Sequence, residues 1–198
     1  LLVTACKTIG SLQLRNRATL GGNIVNAAPC ADSMPPLIIY DASVELRSLR
    51  GIRRMSVGDF VTGGYRTCLA SDELVTRFIL PPPDPSLSEH YLQLGRRNAL
   101  NITRQSLTGQ FGVDAAGVVH ICRLVDGALL SKPQRLTAVE QALVGQPLNA
   151  QTLERAAGVL NDLIEEAIGG RWSAPYKIPV FVDMFRQMLL DVMAEQKP

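Results

Sequence analysis

The chain has 198 residues, of which 46% are hydrophobic and 19% charged, and its net charge is +2. Such a balance excludes a disordered chain and leaves no electrostatic case for a nucleic-acid partner. The length allows one or two domains with a sizeable core, and no apolar run approaches the ~20 residues of a membrane span.

In chain order, residues 1–9 read as the end of a helix that Gly10 stops at the C′ position. Residues 13–32 follow, a stretch dense in groups suited to a nucleotide. Gly21 and Gly22 lack Cβ atoms, so backbone N–H groups there can close on a ligand. Thr19, Asn23 and Asn26 add short hydrogen-bonding side chains, and successive N–H groups in such a turn make an anion site that needs no lysine. The plain alternative is a β-turn before a helix N-cap. Residues 23–28 are predicted as a short helical turn with its N–H groups toward phosphate. Asp32 and Ser33 look like N-cap residues of a helix running to Tyr40, with Pro35 and Pro36 in its first turn. Capping and ribose binding thus compete for one carboxylate.

Val44 and Leu46, then Ile52, Met55 and Val57, bracket Arg50-Gly51 as a hairpin. Arg50, Arg53 and Arg54 form the one local basic cluster and read as a solvated turn. Residues 59–62 are expected as a turn or short helix, 63–67 as a loop, and 74–80 as a buried strand. The run Pro81-Pro82-Pro83-Asp84-Pro85 blocks regular structure and is the linker candidate. It divides the chain into 1–80 and 86–198.

Past the linker, residues 89–94, 106–113 and 118–124 read as three strands, the last two joined by a turn at 114–117. Residues 136–144 are predicted as a helix ended by Gly145. Leu153, Ala156, Leu160, Leu163 and Ile164 mark the buried stripe of a second helix, and Phe181, Phe185, Met188, Leu189 and Val192 that of a third. Cys6, Cys30, Cys68 and Cys122 are scattered away from His90 and His120, against a zinc or iron–sulfur site and against a disulfide framework. Reduced thiols and no visible signal peptide set the expectation of a cytoplasmic protein. No Ser/His/Asp signature, Walker loop or G-x-G-x-x-G after a strand occurs. Any chemistry therefore belongs to a bound cofactor that the protein positions and tunes.

The pattern R-N-x-A-T-x-G-G-N-I-x-x-A-x-x-x-A-D at residues 15–32 resembles the second FAD-binding signature of the flavoprotein subunit of molybdenum hydroxylases. That family includes the xanthine dehydrogenase and carbon monoxide dehydrogenase types. D-F-V-T-G-G-Y-R-T, D-E-L-V-T-R-F-I-L-P, Y-L-Q-L-G-R-R and R-W-S-A-P-Y-K resemble it too, in the family's order. The resemblance implies an α+β protein: one lobe of a two-lobed FAD-binding domain, then a C-terminal α+β domain with a three-stranded antiparallel sheet and helices. The family's other Gly-rich loop lies in an N-terminal lobe with no counterpart in these residues. By resemblance, Thr19, Gly21, Gly22, Asn23 and Asn26 surround the FAD pyrophosphate and Asp32 meets the ribose or adenine side. Leu74 and Val75 approach the flavin ring, and Gln93 stands where the family often has Lys. Arg96, Arg97, Tyr65 and Arg66 match the pattern as well.

The implied function is electron transfer from iron–sulfur clusters through FAD to NAD or another acceptor. The implied partners are a molybdopterin-binding large subunit and a 2Fe-2S small subunit. Two other readings stay open, a scaffold module without flavin and another flavoenzyme of the same FAD-binding architecture.

Overall fold

The computed structural model of the protein describes residues 1–97 and 100–196. Three short helices open the chain: α1 (Leu2–Thr8), α2 (Leu12–Arg15) and α3 (Leu20–Asn26). Gly10 takes φ +52 just past α1, as its stop position requires. Ser11 caps α2 by accepting from the Leu14 N–H, and Thr19 caps α3 by accepting from the Gly22 N–H at 2.9 Å. The Gly-Gly pair is therefore not a turn but the first turn of a helix that begins three residues earlier than expected. Neither glycine has a positive φ, so both are present for the side chain they lack. Ala27 ends α3 in the left-handed region at φ 47.

Helix α4 (Met34–Ile39) is buried at every residue. Ser33 sits at its N-cap without a side-chain capping bond, so the expected capping by Asp32 and Ser33 is not made. Strands β1 (Ser43–Ser48) and β2 (Gly51–Ser56) form the expected antiparallel hairpin, with Gly51 at φ +131. Helix α5 (Val57–Phe60) leads into β3 (Val61–Gly63) and β4 (Arg66–Thr67), a small hairpin where a loop was expected. Its turn is tied to the end of α3 by the Tyr65 N–H donating to the Ala27 carbonyl at 2.7 Å. Strand β5 (Leu74–Ile79) pairs with β1, giving the sheet order β2-β1-β5. It is an edge strand rather than a buried one: Leu74 is 73% exposed, because pairing on one side leaves a strand's other edge to solvent.

Of the arginine cluster, Arg50 lies in the hairpin turn, while Arg53 and Arg54 stand on β2. Arg54 and Arg77 both pair with buried Glu45, Arg53 pairs with Glu73, and Arg50 with Asp72. Glu45, Arg54 and Arg77 are cross-strand partners on one face of the sheet, while Arg53, next to Arg54 on β2, turns to the other face and Glu73.

After the Pro-rich segment, β6 (Ser88–Leu94), β7 (Gln105–Val113) and β8 (Val119–Gly127) form an antiparallel sheet in that order. Helices α6 (Thr137–Leu143), α7 (Ala150–Ile168) and α8 (Ala174–Glu195) follow. Leu107 and Phe111 of β7 pack with Phe181, Phe185, Met188 and Leu189 of α8 in the larger core. A Cβ on Gly109 would lie 2.5 Å from the Met188 Sδ, so glycine sets the close approach of helix to sheet. The opposite face of the sheet meets α4, and Val125 of β8 belongs to the core that α4 builds with Ile24, Val44, Leu46 and Phe60. Covered on both faces, β7 is buried over all but its last residue. The result is three layers, with α4 and the first sheet on one side of β6–β8 and α6–α8 on the other.

Candidate functional site

Thr19 fixes the start of α3 because its side-chain oxygen substitutes for a missing intrahelical acceptor at the Gly22 N–H. The N–H groups of Leu20 and Gly21 lie in the same first turn, which has no intrahelical acceptor for them. A Cβ on Gly21 would meet nothing within 4 Å, so that backbone opens directly onto free space. Beside it lies a pocket of about 140 Å³ whose wall includes Cys6, Arg15, Thr19, Leu20, Asn23 and Ser33. Arg15 is steadied there by donating to the Ile9 carbonyl at 2.8 Å. Gly22 and Asn26, four residues apart, share one face of α3. Asn26 nevertheless stands at the helix's far end, about 9 Å along the axis from Leu20.

Asp32 lies elsewhere than spacing implied. It is 7% exposed, and its Oδ1 accepts from Tyr91 Oη at 3.1 Å, Gln93 Nε2 at 3.3 Å and Thr103 Oγ1 at 2.6 Å. Burial pushes its carboxyl up, while the bonds from Thr103, Tyr91 and Gln93 hold it down. Gln93 thus joins Asp32 and Thr103 rather than the α3 pocket. Leu74 and Val75 lie on β5, which runs against α3. The predicted residues fall into three neighbouring groups: Thr19, Gly21, Gly22 and Asn23 around the first turn of α3, Leu74 and Val75 beside that helix, and Asp32 with Gln93 behind it. The link between the first and third is Ser33, whose hydroxyl donates to the Asn23 Oδ1. Arg15, Tyr91 and Thr103 were not singled out from sequence, and Ser33 was read only as an N-cap residue. Arg15 and Tyr91 stand inside quoted motifs, but nothing local marks Thr103, which lies 71 residues from Asp32.

A second, wider pocket of about 660 Å³ opens between the two cores, with Tyr65, Arg96, Arg104, Trp172, Tyr176 and Lys177 on its wall. The Arg104 guanidinium lies 5.9 Å from the Tyr176 ring centroid. Lys177 donates to the Ala128 carbonyl, and burial, with Arg171 and Arg104 nearby, lowers its ammonium from the ordinary value. Trp172 is 95% exposed.

Residues 93–192 match the CO dehydrogenase flavoprotein C-terminal domain, and residues 1–83 match the FAD binding domain in molybdopterin dehydrogenase. The chain belongs to this flavoprotein family. It is 31% identical over 195 residues to the nicotinate dehydrogenase FAD-subunit of Eubacterium barkeri, covering 97% of this chain and 66% of that one. With the xanthine dehydrogenase FAD-binding subunit of Escherichia coli O157:H7 the identity is 32%, covering 98% and 66%. Among solved structures, the carbon monoxide dehydrogenase of Hydrogenophaga pseudoflava superposes with a TM-score of 0.85 at 26% identity, over 94% of this chain and 64% of that chain. The chain therefore spans about two thirds of the length of these flavoprotein relatives. The α+β architecture expected from sequence is the family's two-domain fold. No helix among the described residues is long and apolar enough to cross a membrane.

Proposed function

We propose that the chain is the FAD-binding, electron-transferring part of a molybdenum hydroxylase, with the flavin's pyrophosphate at the first turn of α3. The observation that carries this reading is the open backbone at Gly21, where a ligand can lie against the helix with no side chain between. The pocket beside it sets Thr19, Asn23 and the Arg15 guanidinium, groups suited to a pyrophosphate, among the apolar Ile9, Ala18 and Leu20. Thr19 holds the turn in shape, Leu20 and Gly21 offer N–H groups, and Asn23 adds its amide. Asn26 extends the same face toward the rest of the dinucleotide. Leu74 and Val75 supply an apolar wall on the flavin side, and Asp32 with Gln93 backs the site on the ribose side. Where the family often has Lys, Gln93 brings no charge, so this position does not favour an anionic reduced flavin.

Bound FAD supplies the electron transfer between the iron–sulfur clusters of a 2Fe-2S small subunit and a final acceptor, NAD or another. A molybdopterin-binding large subunit would choose the substrate. The cationic, aromatic pocket of Arg96, Arg104, Trp172 and Tyr176 supports an acceptor with an anionic part. Residues 1–80 act as the FAD-binding lobe and 86–198 as the C-terminal domain, joined by residues 81–85. The setting is the cytoplasm, where the four cysteines, all unpaired in the structure, stay reduced.

The test is an FAD titration followed by flavin fluorescence, with the chain alone and with the N-terminal lobe of a relative supplied in trans. Saturable quenching, lost in Gly21→Asp under the same conditions, supports the reading. No quenching in either mixture would leave a scaffold without flavin in its place.

A further inference from the structure

Three donors converge on the Asp32 Oδ1, and all three come from β6 or the segment leading into β7, at sequence separations of 59, 61 and 71. Asp32 lies on the first side of the molecule, at the entry to α4. The carboxylate is thus held by the C-terminal sheet while its backbone belongs to the helical layer. The next residue, Ser33, is 1% exposed. It leaves the N-terminal N–H groups of α4 without a side-chain cap and gives its hydroxyl proton to Asn23 instead. A serine hydroxyl has one proton to give. Because the Asn23 Oδ1 accepts it, the amide's other end, the NH₂ group, is left for the pocket that Asn23 and Ser33 both line.

We propose that Asp32 and Ser33 are positioning residues, through which the C-terminal sheet holds the Asn23 amide with its donor end toward an anion in the α3 pocket. The opposite flip would turn the Ser33 hydroxyl into the acceptor and set an amide oxygen against the anion, so the observed Ser33 bond and the anion favour the same orientation. A carboxylate accepting three hydrogen bonds does not swing, so the backbone that carries Ser33 is pinned at one end by Asp32 and at the other by buried α4. Nearness to the pocket shows in Cys6 on its wall: burial raises that thiol's pKa, and the Asp32 charge raises it further. The identity of the anion rests on the flavin reading; the hold on Asn23 does not.

The experiment uses the full chain, with two measurements on each variant. One is the position of the Asn23 side-chain NH₂ signals in ¹⁵N–¹H spectra, assigned by their loss in Asn23→Asp. The other is affinity for ADP, which carries a pyrophosphate without the flavin ring. In Ser33→Ala, and in Thr103→Val on the far side of the Asp32 carboxylate, the Asn23 signals should move. ADP affinity should fall by about tenfold, the size of one hydrogen bond to a charged partner. Thr103→Ser, which keeps the hydroxyl, should restore both, which a role in general stability would not require. Tyr91→Phe removes a single oxygen and stands in for Thr103→Val if that variant folds poorly. Asn23 signals unmoved in Thr103→Val and Tyr91→Phe would overturn the proposal. Signals that move while the wild type shows no saturable ADP binding would support the positioning and count against the flavin reading instead.

Discussion

A Cβ on Gly21 would meet open space, whereas one on Gly22 would come within 3.1 Å of the Thr19 hydroxyl that caps α3. The two glycines therefore separate ligand binding from folding. Gly21→Ala removes a glycine from a helix at a position with room for a methyl, so stability should rise by up to about 1 kcal/mol. The same methyl intrudes where the pyrophosphate is proposed, so FAD affinity should fall, and Gly21→Asp should abolish it by adding a like charge. Melting temperature and flavin titration, read on the same samples, check the opposite signs; unchanged FAD affinity in Gly21→Asp would remove the assigned site. Asp126 is the other informative residue. It is wholly buried, and its carboxylate accepts the backbone N–H groups of Leu130 and Gln134 at 3.0 Å each. Burial pushes its carboxyl up from 3.8 to about 7 despite those bonds. The folded protein then binds a proton that the unfolded chain has released, so stability from this group rises as pH falls from about 7 toward 3.8. Asp126→Asn should abolish that rise in a series of denaturant midpoints against pH. It should also cost about 1–3 kcal/mol at neutral pH, since the amide nitrogen faces a backbone N–H that loses its acceptor.

At the scale of elements, the acid limb of the same pH series has the opposite sign. Arg77 and Arg54 hold the Glu45 carboxyl on the central strand β1 down to about 2. Arg53, with the Ala70 N–H, does the same for Glu73. Their contribution is complete above the ordinary 4.5 and is lost as pH falls toward 2. Glu45→Gln should flatten this limb without touching the one that Asp126 sets, a separation visible in the midpoint curves. Helix α8 carries stability of a different kind. Phe185 is fully buried against the sheet, and Phe185→Ala should cost about 3–5 kcal/mol by lost transfer energy and the cavity left behind. Chemical denaturation measures it directly, and a loss below 1 kcal/mol would mean that α8 is not the lid of the larger core.

The whole molecule turns on α4. The sequence suggests two units flanking a proline-rich segment, and the structure does hold two apolar clusters. Yet α4 lies on the sheet of the second unit, Val125 of that sheet sits in the first cluster, and both ends of α4 are tied across. Asp32 precedes it with its three donors, while past its C-terminal end Asp41 meets Arg123 and Arg135. Lys132 adds bonds to the Gly58 and Val61 carbonyls. A chain ended at Pro85 would expose the buried face of α4, so it should show no cooperative unfolding transition. The intact chain should unfold in one step. Two resolved transitions by calorimetry would show the halves to be independent.

The sequence alone sets what depends on neighbours within a few residues. Apolar spacing is enough for α7 and α8, alternation with a turn for β6 to β8, Gly10 and Gly145 for helix ends, and the glycine motif for the flavoprotein family. It misplaced the start of α3 because Thr19 as a cap and Gly21–Gly22 as a turn are equally good local readings, and only packing of Ile24 into the core selects the helix. It misread β5 as buried because an apolar run does not say whether a second strand will cover its far edge. Tertiary structure alone decided that the Asp32 carboxylate is buried against the second sheet and does not cap α4, where burial and capping were both open to a carboxylate before a proline pair. The donors that chose between them lie 59 to 71 residues away. No local pattern encodes a hydrogen bond across that distance; it exists because the second sheet closes over α4.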